Sequence, residues 1–302
     1  MTIRPLFIAA LLATAPALAA TPIDQTRPLA PTGQVSVDNL KGRIVVRGWD
    51  RPEVKLTGSL GEGVEKLEIT GDANDLRIVV RYPKRGGGWF GWGGNDGGAE
   101  PTQLELRVPR GASLSVDSVS ADVEVSEVAG RKLSVDSVSG DVRARAVKPG
   151  EASFDSVSGD LDLEVDSRNV RVDSISGDIV LKGRLTGQIS LETVSGDALV
   201  VAGMVDRLAL STVSGDGQLT AGMTASASIL ADSVSGDLTL DLPADTSARL
   251  RVETFSGGIS SPVGKVRTEE YGPGKHLDAR LGEGGGDIRL ESFSGDVRIR
   301  LN

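Results

Sequence analysis

The sequence predicts an all-β protein: a single-domain β-solenoid with rungs of about 19 residues. Three observations carry this. A short motif recurs nine times at near-constant spacing. Apolar residues alternate at period two on both sides of each copy, the signature of strands with one buried face. Aromatics make up only 3% of the 302 residues, so the core must be built from small and branched side chains.

In chain order, residues 1–20 come first, MTIRPLFIAALLATAPALAA. Arg4, the apolar run Leu6 to Leu12 and the small-x-small site Ala17-Leu18-Ala19 read as a signal peptide. The run is short of the roughly 20 apolar residues of a membrane span, and Pro16 interrupts it. No later segment approaches spanning length. Residues 21–34 hold three prolines and read as a linker. The solenoid domain is expected over 35–302, with irregular rungs over 35–112 and regular ones over 113–302. Val35, Val37, Ile44 and Val46 begin the strand pattern, and Val54-Lys-Leu56, Leu67-Glu-Ile69, Leu76 to Val80 and Leu104 to Val108 continue it. Between them lies the glycine-rich stretch 83–101. It contains Trp89, Phe90 and Trp92, which read either as a patch folded back on the solenoid or as an aromatic tip that touches a partner.

The regular part opens with Asp117-Ser-Val-Ser-Ala-Asp122 and Asp136-Ser-Val-Ser-Gly-Asp141. The second serine of the motif falls at 120, 139, 158, 176, 195, 214, 235, 256 and 294. The final step of 38 reads as two rungs with one motif eroded, at about 264–286. With the central apolar residue, such as Val138, as position zero, positions −5 and −3 are almost always apolar, and +4 and +6 mostly so. Parity slips between −3 and 0, so Asp136-Ser137 is expected to form a corner. A second corner is expected half a rung later, at Lys148-Pro149-Gly150 and Leu185-Thr186-Gly187. A repeat of this size buries its apolar face only by stacking. Ten rungs from residue 113 onward would make a rod of roughly 50 Å at about 4.8 Å per strand.

Ala121 stands in for glycine at +2 in the first copy, which argues for a close approach there rather than an obligatory positive φ. Position −2 is acidic in eight of nine copies, and +3 is Asp in eight: Asp122, Asp141, Asp160, Asp178, Asp197, Asp216, Asp237 and Asp296. Stacking lines these up, and like charges facing one another destabilise a sheet. Two compensations are open. Asp and Ser side chains could accept hydrogen bonds from corner N–H groups, with Arg143, Arg145, Arg168, Arg171 and Arg184 softening the charge. Alternatively, the row could hold Ca²⁺, although the G-G-x-G-x-D pattern of calcium-loaded β-rolls is absent.

Composition excludes more. The net charge is −9, which opposes nucleic-acid binding. With no cysteine there are no disulfides or thiolates, and with His276 alone there is no His-rich zinc site. His276 reads as a loop histidine. The carboxylates recur on every rung, whereas a catalytic pair is a local exception. No enzyme, cofactor or catalytic residue is therefore assigned.

The V-S-G-D repeats resemble the bacterial domain-of-unknown-function 4097 family, described as adhesin-like with β-strand repeats. So do Val37-Asp-Asn39-Leu-Lys-Gly42-Arg-Ile44-Val-Val-Arg-Gly48-Trp49 and Leu106-Arg-Val-Pro109-Arg-Gly-Ala112. The resemblance covers roughly 35–302 and implies a β-solenoid exported to the bacterial envelope. The leading expectation is a non-enzymatic, adhesin-like envelope scaffold that binds an envelope protein or glycan, with end-to-end self-association open. The alternatives are an accessory to envelope-stress signalling that binds a membrane partner, and a polysaccharide lyase or hydrolase. The chain closes on the strand Val297-Arg-Ile-Arg-Leu301-Asn302 with no barrel or sorting tail evident, which favours the periplasm over the cell surface.

Overall fold

A computed structural model describes residues 21–83, 98–270 and 272–302. Every regular element among them is a β-strand. The N-terminal part holds β1 (Thr21–Pro28), β2 (Gln34–Trp49), β3 (Glu53–Leu60), β4 (Lys66–Gly71), β5 (Asp75–Arg81) and β6 (Thr102–Pro109). The repeats follow as β7 (Ser113–Ser126), β8 (Lys132–Ser139), β9 (Val142–Val147), β10 (Glu151–Ser158), β11 (Leu161–Val165), β12 (Ser167–Ser176), β13 (Ile179–Lys182), β14 (Leu185–Ser195), β15 (Ala198–Ser214) and β16 (Gly217–Ser235). The C-terminal part comprises β17 (Leu238–Leu242), β18 (Ala248–Thr254), β19 (Ile259–Ser260), β20 (Arg267–Thr268), β21 (Lys275–Leu281), β22 (Gly286–Ser292) and β23 (Val297–Leu301).

Each regular repeat supplies two strands, and each pairs in parallel with the equivalent strand of the neighbouring repeat. Val135 sits beside Val116 on one side and Phe154 on the other, and Leu161 lies between Val142 and Ile179. Identical motif positions therefore stack in columns. The apolar columns fill the interior, with Phe154, Leu133, Leu161 and Ile179 essentially inaccessible to solvent. Each such side chain contributes roughly 1.5–3 kcal/mol on burial.

The strand phase corrects the expected corner. Leu133, Val135 and Ser137 all point inward, so alternation continues to position −1, and Val138 points out. The break falls across Val138 to Asp141, before Val142 and Ala144 point inward again. The glycine at +2 makes this turn. In Gly140, Gly159, Gly177, Gly196 and Gly215 φ lies between +112° and +147°, and a Cβ on Gly159 would lie 2.4 Å from the Gly140 carbonyl oxygen. Positive φ is thus built into five copies, contrary to the expectation drawn from Ala121, and the expected close approach holds as well. The second corner lies at Lys148-Pro149-Gly150, as expected. In the β13–β14 repeat it falls at Gly183-Arg184, with Leu185 to Gly187 inside a strand.

Both ends of the stack differ from the sequence expectation. Residues 21–28, expected within a linker, form β1, paired antiparallel with β3. β3 pairs antiparallel with β6, and β6 lies parallel to the second half of β2. The first half of β2 is covered by β5, which β4 in turn pairs antiparallel. At the other end, the last repeat in the chain is not the last in space. β22 lies between β16 and β18, and β23 between β17 and β19. The segment expected as an eroded rung instead contributes β20 and β21, and β21 runs antiparallel along the outer edge of β18. Nine repeats, not ten, therefore stack from residue 113 onward, with β2 as a further rung beneath them.

Candidate functional site

The inverted phase at the corner creates a groove. Position zero faces outward in every copy: Val119, Val138, Val157, Ile175, Val194, Val213, Val234, Phe293 and Phe255 are 42–57% exposed. In spatial order they form one apolar column along the stack. It ends on Phe293 and Phe255, stacked with ring centroids 4.8 Å apart and planes 6° from parallel. The groove containing this column has a volume of about 1400 Å³ and reaches from Leu40 on β2 to the β20–β21 hairpin. There Lys275 Nζ donates to the Gly257 carbonyl at 2.9 Å, and His276 Nδ1 lies 2.9 Å from Glu269 Oε1. His276 is thus a strand residue at the groove's end, not a loop residue.

One wall is the acidic row at position −2. Asp38, Asp117, Asp136, Asp155, Asp173 and Glu192 pair in register from rung to rung, Ser211 interrupts, and Asp232, Glu291 and Glu253 complete the row. Partial burial, reinforced by the neighbouring carboxylates, holds Asp117, Asp136 and Asp232 above the ordinary carboxylate range. Burial does the same to Asp173 although Arg171 opposes it, with Nε 2.6 Å from Asp173 Oδ2.

The groove floor is the hydroxyl column at position −1, which is buried. Ser118, Ser174, Thr193, Thr212 and Ser233 donate to carbonyls of their own corner at 3.0–3.4 Å. These five hydroxyls brace the turn as donors to carbonyls, whereas Thr254 in the same column accepts from the Gly257 N–H at 2.9 Å, as expected. Ser156 and Ser292 have hydroxyls without a partner.

The +3 aspartates stand beyond the corner and form a separate ladder. Asp122 Oδ1 accepts from the Asp141 N–H at 3.2 Å, Asp141 Oδ1 from Asp160, and Asp160 Oδ1 from Asp178 at 3.0 Å. The pattern repeats through Asp197, Asp216, Asp237 and Asp296, and ends at the Gly258 N–H, 2.7 Å from Asp296 Oδ1. Each carboxylate thus accepts from the neighbouring rung. Arginines neutralise parts of the surface: Arg143 pairs with Asp141, Arg145 with Asp162, and Arg184 with Asp166. Hydrogen bonds from Arg145 and Arg184 hold the Asp162 and Asp166 carboxyls below the usual range. Among the described residues no cluster of His, Asp and Glu is arranged to hold a metal ion. No helix among them is long and apolar enough to cross a membrane. Trp89, Phe90 and Trp92 lie outside the described residues.

Sequence reasoning found both acidic rows but missed the groove. The available signal was that position zero is apolar in all nine copies yet out of phase with −5 and −3. An apolar residue out of phase with its own strand is one the fold keeps at the surface.

Fold and groove together define an all-β protein of parallel stacked repeats with an open, apolar and acidic channel along one edge. The chain belongs to the Toastrack DUF4097 family, whose profile matches residues 34–300. No curated protein matches the sequence. Among solved structures, a candidate lipid-binding protein from Parabacteroides distasonis is 12% identical, with 93% of this chain and 97% of that one covered and a TM-score of 0.53. A candidate adhesin from the same organism is 12% identical over 92% and 97%, with a TM-score of 0.55. At this identity the likeness is one of fold alone.

Proposed function

We propose that this protein is a non-catalytic binding protein of the bacterial envelope, exported by residues 1–20, whose repeats form a β-solenoid with a 19-residue rung. Its working surface is the groove. The observation that carries this reading is the column of nine large apolar side chains held 42–57% exposed in a single channel. A folded chain leaves such a column uncovered at a cost in free energy, and contiguous exposed apolar patches mark interaction sites. The names of the two structural relatives, one a candidate lipid binder and one a candidate adhesin, agree with a binding role. The repeated carboxylates fit a scaffold better than a lyase or hydrolase, because every rung carries the same environment. The glycine-rich stretch with Trp89, Phe90 and Trp92 is a second contact point in this reading.

Two measurements test it. A neutral apolar dye should brighten on binding the purified protein, and Val157→Glu/Ile175→Glu should abolish that response while the circular dichroism spectrum stays unchanged. A dye response equal in the variant overturns the groove as the binding surface. Cell fractionation should find the full chain in the periplasm and a chain lacking 1–20 in the cytoplasm. Deleting 85–97, which spares the buried Ala99, should leave the melting temperature unchanged and weaken retention on isolated envelopes.

A further inference from the structure

The acidic row is compensated along part of its length only. Arg171 lies beside it, two residues earlier on the same strand, with Nε 2.6 Å from Asp173 Oδ2 and Nη2 3.4 Å from Glu192 Oε1, and Arg289 pairs in the same way with Glu291. The fold thus places cations beside the row where the chain has an arginine to supply. At the opposite end Asp38, Asp117, Asp136 and Asp155 stand in register on consecutive rungs, and none has an ion pair among the described residues. Arg77 and Arg81 on β5 act on Asp117 and Asp38, respectively, and Arg171 acts on Asp155, only through space. Beside these four carboxylates runs the apolar column, here Leu40, Val119, Val138 and Val157. Ser156, 6% exposed, lines the same stretch with a hydroxyl that has no partner.

This arrangement selects a ligand chemistry. Anions are repelled. A single metal ion needs convergent oxygens, whereas these carboxylates are spread along a line at about 4.8 Å per rung, spanning about 14 Å. What fits is one positive charge per rung, joined by apolar links. In an aliphatic amine with three carbons between nitrogens, four bonds of about 1.5 Å in a zigzag advance about 5 Å. Four carbons advance about 6 Å and lose register within three rungs.

We propose that this end of the groove binds a linear aliphatic tetraamine with three-carbon links, its ammonium groups on Asp38, Asp117, Asp136 and Asp155 and its methylenes on the Leu40–Val157 side of the column. The proposal rests on the groove reading above and names its ligand. The raised proton affinity of Asp117 and Asp136 agrees with carboxylates that lack a counter-ion.

Calorimetric titration of the chain lacking 1–20, at low salt, tests it with norspermine as probe. One saturable site is expected. Asp136→Asn/Asp155→Asn should weaken it about tenfold, the scale of two partly exposed ion pairs. Asp141→Asn/Asp160→Asn removes the same charge from the outer row and should leave affinity within twofold. Spermine, with a four-carbon central link, should bind several-fold more weakly, and propylamine should not saturate. Asp→Asn in the inner row removes repulsion, so the variants should melt at or above the parent temperature. The proposal is overturned by absence of binding, by equal weakening in the outer-row variant, or by equal affinity for spermine. It is also overturned if oligolysine binds more tightly, which would make a basic peptide the occupant. If norspermine fails while the dye still enters the groove, only the ligand assignment falls.

Discussion

At the scale of single residues, the motif divides its labour differently from what hydrophobicity suggests. Serine at −1 is buried because its hydroxyl braces the corner, and valine at zero is exposed because it lines the groove. Glycine at +2 has two reasons to be glycine, a left-handed φ and a carbonyl in van der Waals contact. Gly159→Ala, with φ at +129° and its Cβ 2.4 Å from Gly140 O, should cost about 1–3 kcal/mol in urea unfolding. Asp160→Ala orphans the Asp178 N–H and should cost about 0.5–1.5 kcal/mol. Asp160→Asn keeps an acceptor oxygen and should be close to neutral. A melting curve moved by EDTA or by added calcium would instead restore the cation reading of that row. Asp136 titrates with the opposite sign to a paired carboxylate. Its folded pKa is raised, so the stability linked to its proton is complete below the unfolded pKa, about 3.9, and is lost as pH rises through the folded value. Asp136→Asn should therefore raise Tm at pH 7, with the gain shrinking to nothing below about pH 4. The position of these residues in the repeat was legible in the sequence. Their facing was carried only by phase: −5, −3 and −1 share one face, so zero lies on the other, whereas hydrophobicity alone argues for valine inside and serine outside.

At the scale of elements, the ends of the stack are closed by strands running against it. An uncovered parallel edge presents unpaired N–H and C=O groups and invites association. β21 covers β18, and Leu277 anchors it at 1% exposure. Leu277→Asp should release this hairpin while leaving the repeats folded. The expected result is concentration-dependent oligomers in light scattering, with an unchanged main melting transition. A variant that stays monomeric would show that β21 is not what keeps the edge closed. Strands β3 to β6 were readable from alternation, but the cap was not. The irregular stretch around 264–286 carries too little pattern to show that it runs antiparallel, and the strand-like burial of Ile23 in β1 is a single apolar position among exposed ones.

At the scale of the whole molecule, the insertion of β22 and β23 between earlier repeats has a consequence for assembly. β18 and β22 carry nearly the same pattern, Leu250/Val252 against Ile288/Leu290, and β18 emerges first in the chain. Before β22 is available, β18 can therefore pair with β16 directly, in the connectivity that every earlier repeat uses. The native order requires this pairing to open and admit the last repeat. Period and alternation in the sequence specify that repeats stack but carry no information on the order of two equivalent ones, so this permutation was illegible. Because each rung contacts only its neighbours, removing one should shorten the stack without unfolding it. A chain ending at Gly285 should accordingly remain folded, with β18 seated on β16 and Asp237 Oδ1 accepting the Gly258 N–H in place of that of Asp296. Hydrogen exchange should show β16 and β18 amides still protected. In refolding from urea, the full chain should show a slow phase for opening β16–β18 and inserting β22, and the truncated chain should lack it. If the truncated chain instead loses protection throughout β16–β18, those strands have no pairing of their own, and the last repeat folds as part of their nucleus.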